Sequence, residues 1–192
     1  MKYDIVVSAT GAILESVDAE WEQVKQRIAK LNAKALGVMA RKTPAYQGTI
    51  WPVKGQPVDG LLFAVDCWTS GNPGLGGAKI VMYDETSGKW KVIEEWTSEK
   101  PHTNNYFELV AIGLGLKHAI ESKYQGQIRI YSDSRTALGW VDSGVHKATA
   151  DVDVISLMIR KINTMLVEHS NIFLEKWATE RLGEIPADSG RK

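Results

Sequence analysis

The sequence predicts an α/β domain, a mixed five-stranded sheet flanked by helices, preceded by a small α+β extension. Three observations carry that expectation. From residue 61 onward, strand-like and helix-like patterns alternate as three strands, a helix, a strand, two helices and a last strand. The first of these strands, Leu61–Val65 (LLFAV), is a continuous apolar run suited to burial on both faces. Near Gly60 the composition changes, from a basic stretch rich in Pro and Gly to regularly spaced apolar segments.

In chain order, residues 3–7 (YDIVV) read as a short strand. Residues 17–34 read as an amphipathic helix. Val17, Trp21, Val24, Ile28 and Leu31 form one apolar stripe, Ser16 or Asp18 serves as cap, and Glu20 suits the positive first turn. Residues 42–60 hold Pro44, Pro52 and Pro57 and read as a linker or extended arm. The expected division is therefore an extension with linker over 1–60 and a main domain over 61–192.

Within the main domain, Leu61–Val65 is the central strand and Ser70–Gly77 (SGNPGLGG) a turn region. Lys79–Tyr83 and Trp90–Trp96 follow as strands joined by a turn at Thr86-Ser87-Gly88, which completes an antiparallel meander. Asn104–Ser122 is a helix apolar on most sides, where Gly113 and Gly115 permit close packing on the sheet. Gln127–Tyr131 (QIRIY) is a fourth strand and Ser134–Asp142 a short helix. Val152–Glu168 is a long helix with Ile155, Met158, Ile159, Ile162, Met165 and Leu166 on one face. Asn171–Trp177 is the last strand, reached like the fourth by a helical crossover.

Composition excludes several classes. Hydrophobic residues make up 44% of the 192, enough for a sizeable core, and charged residues 24%. Cys67 is the only cysteine, which rules out an intramolecular disulfide and a cysteine-rich zinc site. No stretch suits a bilayer span, and the N-terminus makes a poor signal peptide, so a reduced cytoplasmic protein is expected. Net charge is zero, but its distribution is uneven. Between Gln23 and Val58 there is no acid, while Lys25, Arg27, Lys30, Lys34, Arg41, Lys42 and Lys54 share the segment with Tyr46 and Trp51. Such a stretch serves either as a solvated face with a basic linker or as a phosphate-contacting arm with aromatic platforms. Trp21, Trp90, Trp96, Trp140 and Trp177 fit core patterns, Trp68 could line a groove, and His102 and His146 read as exposed loop residues.

The chemistry is carried by acids. Asp66 ends the LLFAV run and Asp133 the QIRIY run. Sites in sheets with helical crossovers lie at the carboxyl ends of strands, so parallel neighbours would bring both to one edge. Glu108 lies in the first turns of a buried helix and needs a partner or a metal there. Asp188 follows Pro186 and could fold back to the same edge. Singly, each has an ordinary role as turn former, cap or dipole partner. Together, hard oxygen donors favour Mg²⁺ or Mn²⁺, and two such ions about 4 Å apart can cleave a phosphodiester without a nucleophilic side chain.

Four local motifs then resemble one family, the type 1 ribonuclease H proteins. Asp66-Cys67-Trp68-Thr69-Ser70-Gly71-Asn72-Pro73-Gly74 resembles the opening motif. His102-Thr103-Asn104-Asn105-Tyr106-Phe107-Glu108-Leu109 resembles the helix start, Ile130-Tyr131-Ser132-Asp133-Ser134 the central strand end, and Pro186-Ala187-Asp188 the closing Ala-Asp. The ending GEIPADSGRK also resembles a bacterial branch with an N-terminal hybrid-binding domain. The resemblance implies a ribonuclease H-like fold and a nuclease cutting the RNA strand of RNA–DNA hybrids to 5′-phosphate ends. It implies two Mg²⁺, with Mn²⁺ as an alternative, held by Asp66, Glu108, Asp133 and Asp188. It also implies hybrid contacts from Gly71, Asn72, Asn104, Asn105 and Ser134, with Ser134 also capping the following helix. A non-catalytic nucleic-acid-binding module on the same fold is the alternative, and the four intact acids disfavour it. A strand-transferring recombinase of the superfamily would place a Glu last, where this chain has Asp188.

The departures are specific. No His lies between Asn171 and Lys192, where many members carry one; Glu180 or Glu184 would have to substitute. Cys67 and Trp68 stand where Gly and Ser are usual. The basic helical insertion of some bacterial members is replaced by Ser143–Asp151, with only His146 and Lys147. In residues 1–60 a strand and a Trp-bearing segment are reminiscent of the hybrid-binding domain, but its aromatic strand is absent.

Overall fold

The structure, a computed structural model, describes residues 2–7, 13–18, 20, 23, 24, 26, 38–42 and 60–190. In the N-terminal part, β1 (Lys2–Val7) is the expected strand. Two further strands flank it: β2 (Ile13–Asp18) and β3 (Val38–Lys42), both antiparallel, in the order β2-β1-β3. Neither was expected. Val17, credited to a helix, pairs with Tyr3, and Ser16 and Asp18 lie in a ladder instead of capping. The reason is backbone accounting: an apolar strand must satisfy N–H and C=O groups along both edges, which helical periodicity does not register. Arg41 and Lys42 belong to β3. Gln23, Val24 and Gln26 are helical and Val24 is buried. The rest of the expected helix and arm, including Trp21, Lys25, Arg27, Ile28, Lys30, Leu31, Lys34, Tyr46, Trp51 and Lys54, lies outside the described residues.

The main sheet has five strands in the order β6-β5-β4-β7-β8. These are β4 (Leu61–Gly71), β5 (Gly74–Asp84), β6 (Lys89–Thr97), β7 (Ile128–Ser132) and β8 (Ile172–Lys176). The first three form the antiparallel meander, and β7 and β8 add in parallel. One expectation needs correction. Ser70–Gly77 is mostly paired strand, with Ser70 facing Leu75 and Gly71 facing Gly74, so only Asn72 and Pro73 leave the ladder. Its glycines mark close approach more than turning. A Cβ on Gly76 would lie 2.4 Å from the Trp68 carbonyl oxygen and 2.6 Å from the Phe107 ring.

Helices α1 (Asn104–Glu121), α2 (Arg135–Ser143) and α3 (Val152–Glu168) follow the sequence pattern closely, and a short α4 (Thr179–Leu182) was not anticipated. On one face of the sheet, Phe63, Val65, Ile80 and Ile130 form a core with Leu109, Ile112 and Leu116 of α1 and with Ile155, Ile159 and Ile162 of α3. A Cβ on Gly115 would meet Val65 Cγ1 at 2.7 Å, so this glycine lets α1 lie close on β4, whereas Gly113 faces open space. The opposite face buries Leu62, Ala64, Val81, Tyr83, Tyr131 and Trp177 under Ile185 and Ala187 of the C-terminal segment. Trp177 donates its indole N–H to the Gly183 carbonyl at 2.8 Å, which steers that segment over the sheet. Trp90, Trp96 and Trp140 pack half-buried against these cores, as their patterns suggested.

Candidate active site

The central strand pair positions two aspartates. β4 and β7 run parallel, and their last registered partners are Val65 and Ser132. Asp66 and Asp133 are the next residues on each chain, so both leave the paired region at the same edge. Asp66 does not end its strand as expected: β4 continues to Gly71 against β5, and only its pairing with β7 stops at Val65. Asp66 is buried and Asp133 partly exposed.

Glu108 reaches the same place from α1. Thr103 caps the helix, its hydroxyl accepting from the Tyr106 N–H at 3.3 Å, and Glu108 follows in the second turn. Only 7% of Glu108 is exposed. Carboxylate oxygens of Asp66 and Glu108 and the sulfur of Cys67 lie within 4.8 Å of one another. Glu108 Oε1 accepts from Asn104 Nδ2 at 3.4 Å, while the buried Oε2 has no hydrogen-bond partner among the described residues. Burial, then the charges of Asp66 and Asp133, push the Glu108 carboxyl up from 4.5 to about 8. A buried oxygen without a donor, on a carboxylate close to a second one, suits a hard divalent cation, which would supply the missing positive charge.

Asp188 arrives from the covered face. Asp66 shares strand parity with Leu62 and Ala64, whose side chains meet the C-terminal segment. There Ile185 and Ala187 are buried, and Asp188 accepts through its backbone oxygen from Lys79 Nζ at 3.2 Å. Lys79 is the cross-strand partner of Asp66. The structure thus gathers Asp66 and Glu108 tightly and Asp133 near enough for its charge to act on Glu108. Asp133 and Asp188 lie outside the tight group.

The expected substrate-contacting residues lie on or next to the elements that carry the acids. Gly71 and Asn72 lie at the β4–β5 turn, and Asn72 Oδ1 accepts from the Asn104 N–H at 3.0 Å. Asn105 is half-buried in the first turn of α1, and Ser134 caps α2 by accepting from the Ala137 N–H. Further bonds brace this rim. His102 exchanges two backbone hydrogen bonds of 2.9 Å with Gly74, and its ring bonds Asp151 at 3.0 Å. Asp151 also accepts from the Thr103 N–H. His102 and His146 are therefore not the free loop residues expected: both are half-buried, and His146 bonds Ser156 at 2.7 Å. Glu180, a suggested stand-in for the missing histidine, pairs with Arg135 at 2.9 Å.

Sequence reasoning missed Cys67 and Lys79 as members of this neighbourhood. Cys67 had strand parity opposite to Asp66 as a signal, and Lys79 was a charged residue inside an apolar strand. Burial pushes the Cys67 thiol up, and the neighbouring Glu108, Asp66 and Asp133 charges add to it.

An antiparallel meander extended by two parallel strands, with the three longer helices on one face and acids where the central pair separates, defines a ribonuclease H-like fold. The sequence profile of the RNase H family matches residues 59–177, and the chain belongs to that family. Among solved structures it is similar to LC11-RNase H1, isolated from compost by a metagenomic approach, with 18% identity, a TM-score of 0.51 and coverage of 65% of this chain and 88% of that one. The same LC11-RNase H1 in complex with an RNA/DNA hybrid gives 17%, 0.49, 63% and 87%. Prototype foamy virus protease-reverse transcriptase gives 17% and 0.50, covering 70% of this chain and 19% of that one. No helix among the described residues is long and apolar enough to cross a membrane.

Proposed function

We propose that this protein hydrolyses the RNA strand of RNA–DNA hybrids, with two Mg²⁺ ions, or Mn²⁺ in their place, held by Asp66, Glu108, Asp133 and Asp188. The observation that carries the reading is the unpartnered Glu108 Oε2, buried beside Asp66 in a chain of the RNase H family. When bound, the ions supply an activated water and charge stabilisation for the leaving oxygen. The chain's own residues hold and orient. Asp66 and Asp133 present oxygens where β4 and β7 part, and Glu108 presents one from a rigid helix. Asn72 and Asn104, bonded to each other, offer remaining polar atoms to the backbone of a bound hybrid beside Gly71 and Asn105. RNA is distinguished from DNA by its 2′-hydroxyls. Cys67 keeps its proton, since burial raises its thiol, and takes no part as a nucleophile. A cytoplasmic setting, where a lone thiol stays reduced, fits the same reading.

The test is cleavage of three substrates: RNA–DNA hybrid, double-stranded RNA and double-stranded DNA, each in Mg²⁺ and in Mn²⁺. The expected outcome is cutting of the hybrid's RNA strand alone. Asp133→Asn should abolish cutting while hybrid binding persists. A wild-type protein that binds hybrid and never cuts it would be the non-catalytic module instead.

A further inference from the structure

We infer that Lys79 is a positioning residue for the closing acid: its ammonium ties the C-terminal segment down so that Asp188 is held on the Asp66 side of the site. The inference rests on the proposed nuclease reading and adds to it a residue with no counterpart among the four acids. Three observations converge on Lys79. It lies directly across the β4–β5 ladder from Asp66, and directly opposed residues in an antiparallel pair have Cβ atoms about 4.5–5.5 Å apart. Its Nζ donates to the Asp188 backbone oxygen at 3.2 Å, bridging 109 positions of sequence in a partly buried setting. Its strand parity matches Val81 and Tyr83, which lie under the same C-terminal segment.

Without Lys79 the segment keeps the Trp177–Gly183 hydrogen bond upstream, an apolar anchor at Ile185 and Ala187, and a local turn in which the Asp188 N–H bonds the Ile185 carbonyl at 2.8 Å. Apolar contacts are non-directional, so they keep the segment on the sheet without setting where the next residue's carboxylate points. The charged donor on Asp188 supplies that direction, and charge-assisted hydrogen bonds are the stronger kind. A lysine also places a positive charge on a face that carries Asp66 and receives Asp188, which offsets their mutual repulsion.

The experiment is a double-mutant cycle on the full chain with kinetics on RNA–DNA hybrid. Lys79→Met should lower kcat by about 10- to 100-fold, the scale of a misplaced group, with KM for hybrid unchanged. Lys79→Arg should restore most of it. In an Asp188→Asn background, Lys79→Met should cost nothing further, because the carboxylate it aims is already gone. Additive losses, or a lysine loss appearing in KM alone, would overturn the inference. A second readout is independent of catalysis. Lys79→Met should speed hydrogen exchange at the Asp188 and Gly190 amides, which bond Ile185 O and Asp188 Oδ1, while the β4 and β7 amides keep their protection. Unchanged exchange at the two tail amides would also overturn it. If the wild-type chain cuts no hybrid, the nuclease reading fails, and the exchange experiment still decides the role of Lys79.

Discussion

Glu108 shows how one residue couples fold and chemistry. Held above its ordinary 4.5 at about 8, it keeps a proton in the metal-free fold that it loses when unfolded at neutral pH. The folded state binds more protons between those values, so Glu108 lowers stability progressively as pH rises from 4.5 to about 8. Glu108→Gln removes that term. In metal-free thermal melts, the variant should match the wild type near pH 4.5 and melt higher at pH 8. Added Mg²⁺ should raise the wild-type midpoint more at pH 8 than at pH 6 and leave the variant nearly unmoved. Equal pH dependence in the two proteins would contradict the burial argument. At this scale the sequence was informative about the acids, because each stands beside a recognisable local motif. About Cys67 and Lys79 it offered only the weak signals of alternation and of a charge inside an apolar strand, because their relation to Asp66 depends on strand parity and cross-strand register.

Elements were legible where the pattern was long and regular. The apolar faces of α1 and α3 followed from periodicity and the five main strands from apolar runs and turn signals; β4 extends on to Gly71 and β5 back to Gly74, past their expected bounds, while the others shift by a residue at most. The glycine-rich hairpin was misread because glycine marks turns and close approaches alike, and only the packed neighbour tells them apart. The strands β2 and β3 were misread because pairing demand comes from a partner strand, not from the segment itself. The helix glycines make the point testable. Gly113→Ala meets nothing within 4 Å and should stabilise the protein, by up to about 1 kcal/mol, through helix propensity. Gly115→Ala drives a methyl against Val65 and should cost about 1–3 kcal/mol despite the same gain in propensity. Urea denaturation of the two variants measures both, and shifts of the same sign would mean that α1 can back away from β4.

For the whole molecule, both core clusters are built, among the described residues, from residues 61 onward. A fragment starting at residue 59 should therefore melt cooperatively and cut hybrid by itself. Binding that weakens relative to the full chain, most at low salt, would assign a phosphate-contacting role to the basic arm; unchanged binding would leave it as a solvated linker. The central strand adds a constraint on how such a molecule reaches one final state. Leu61–Val65 is apolar on both sides, so a slip of one position between β4 and its neighbours would barely alter how much oil-like surface is hidden. It would nevertheless exchange Asp66 for Cys67 and undo the proposed site. The hairpin bears on that near-degenerate alternative through the fit of bulk to vacancy. Trp68 faces Gly77 across the ladder and Phe107 lies over Gly76, positions where an added carbon collides. Those glycines thereby admit the two aromatic rings in the alignment that the strands adopt.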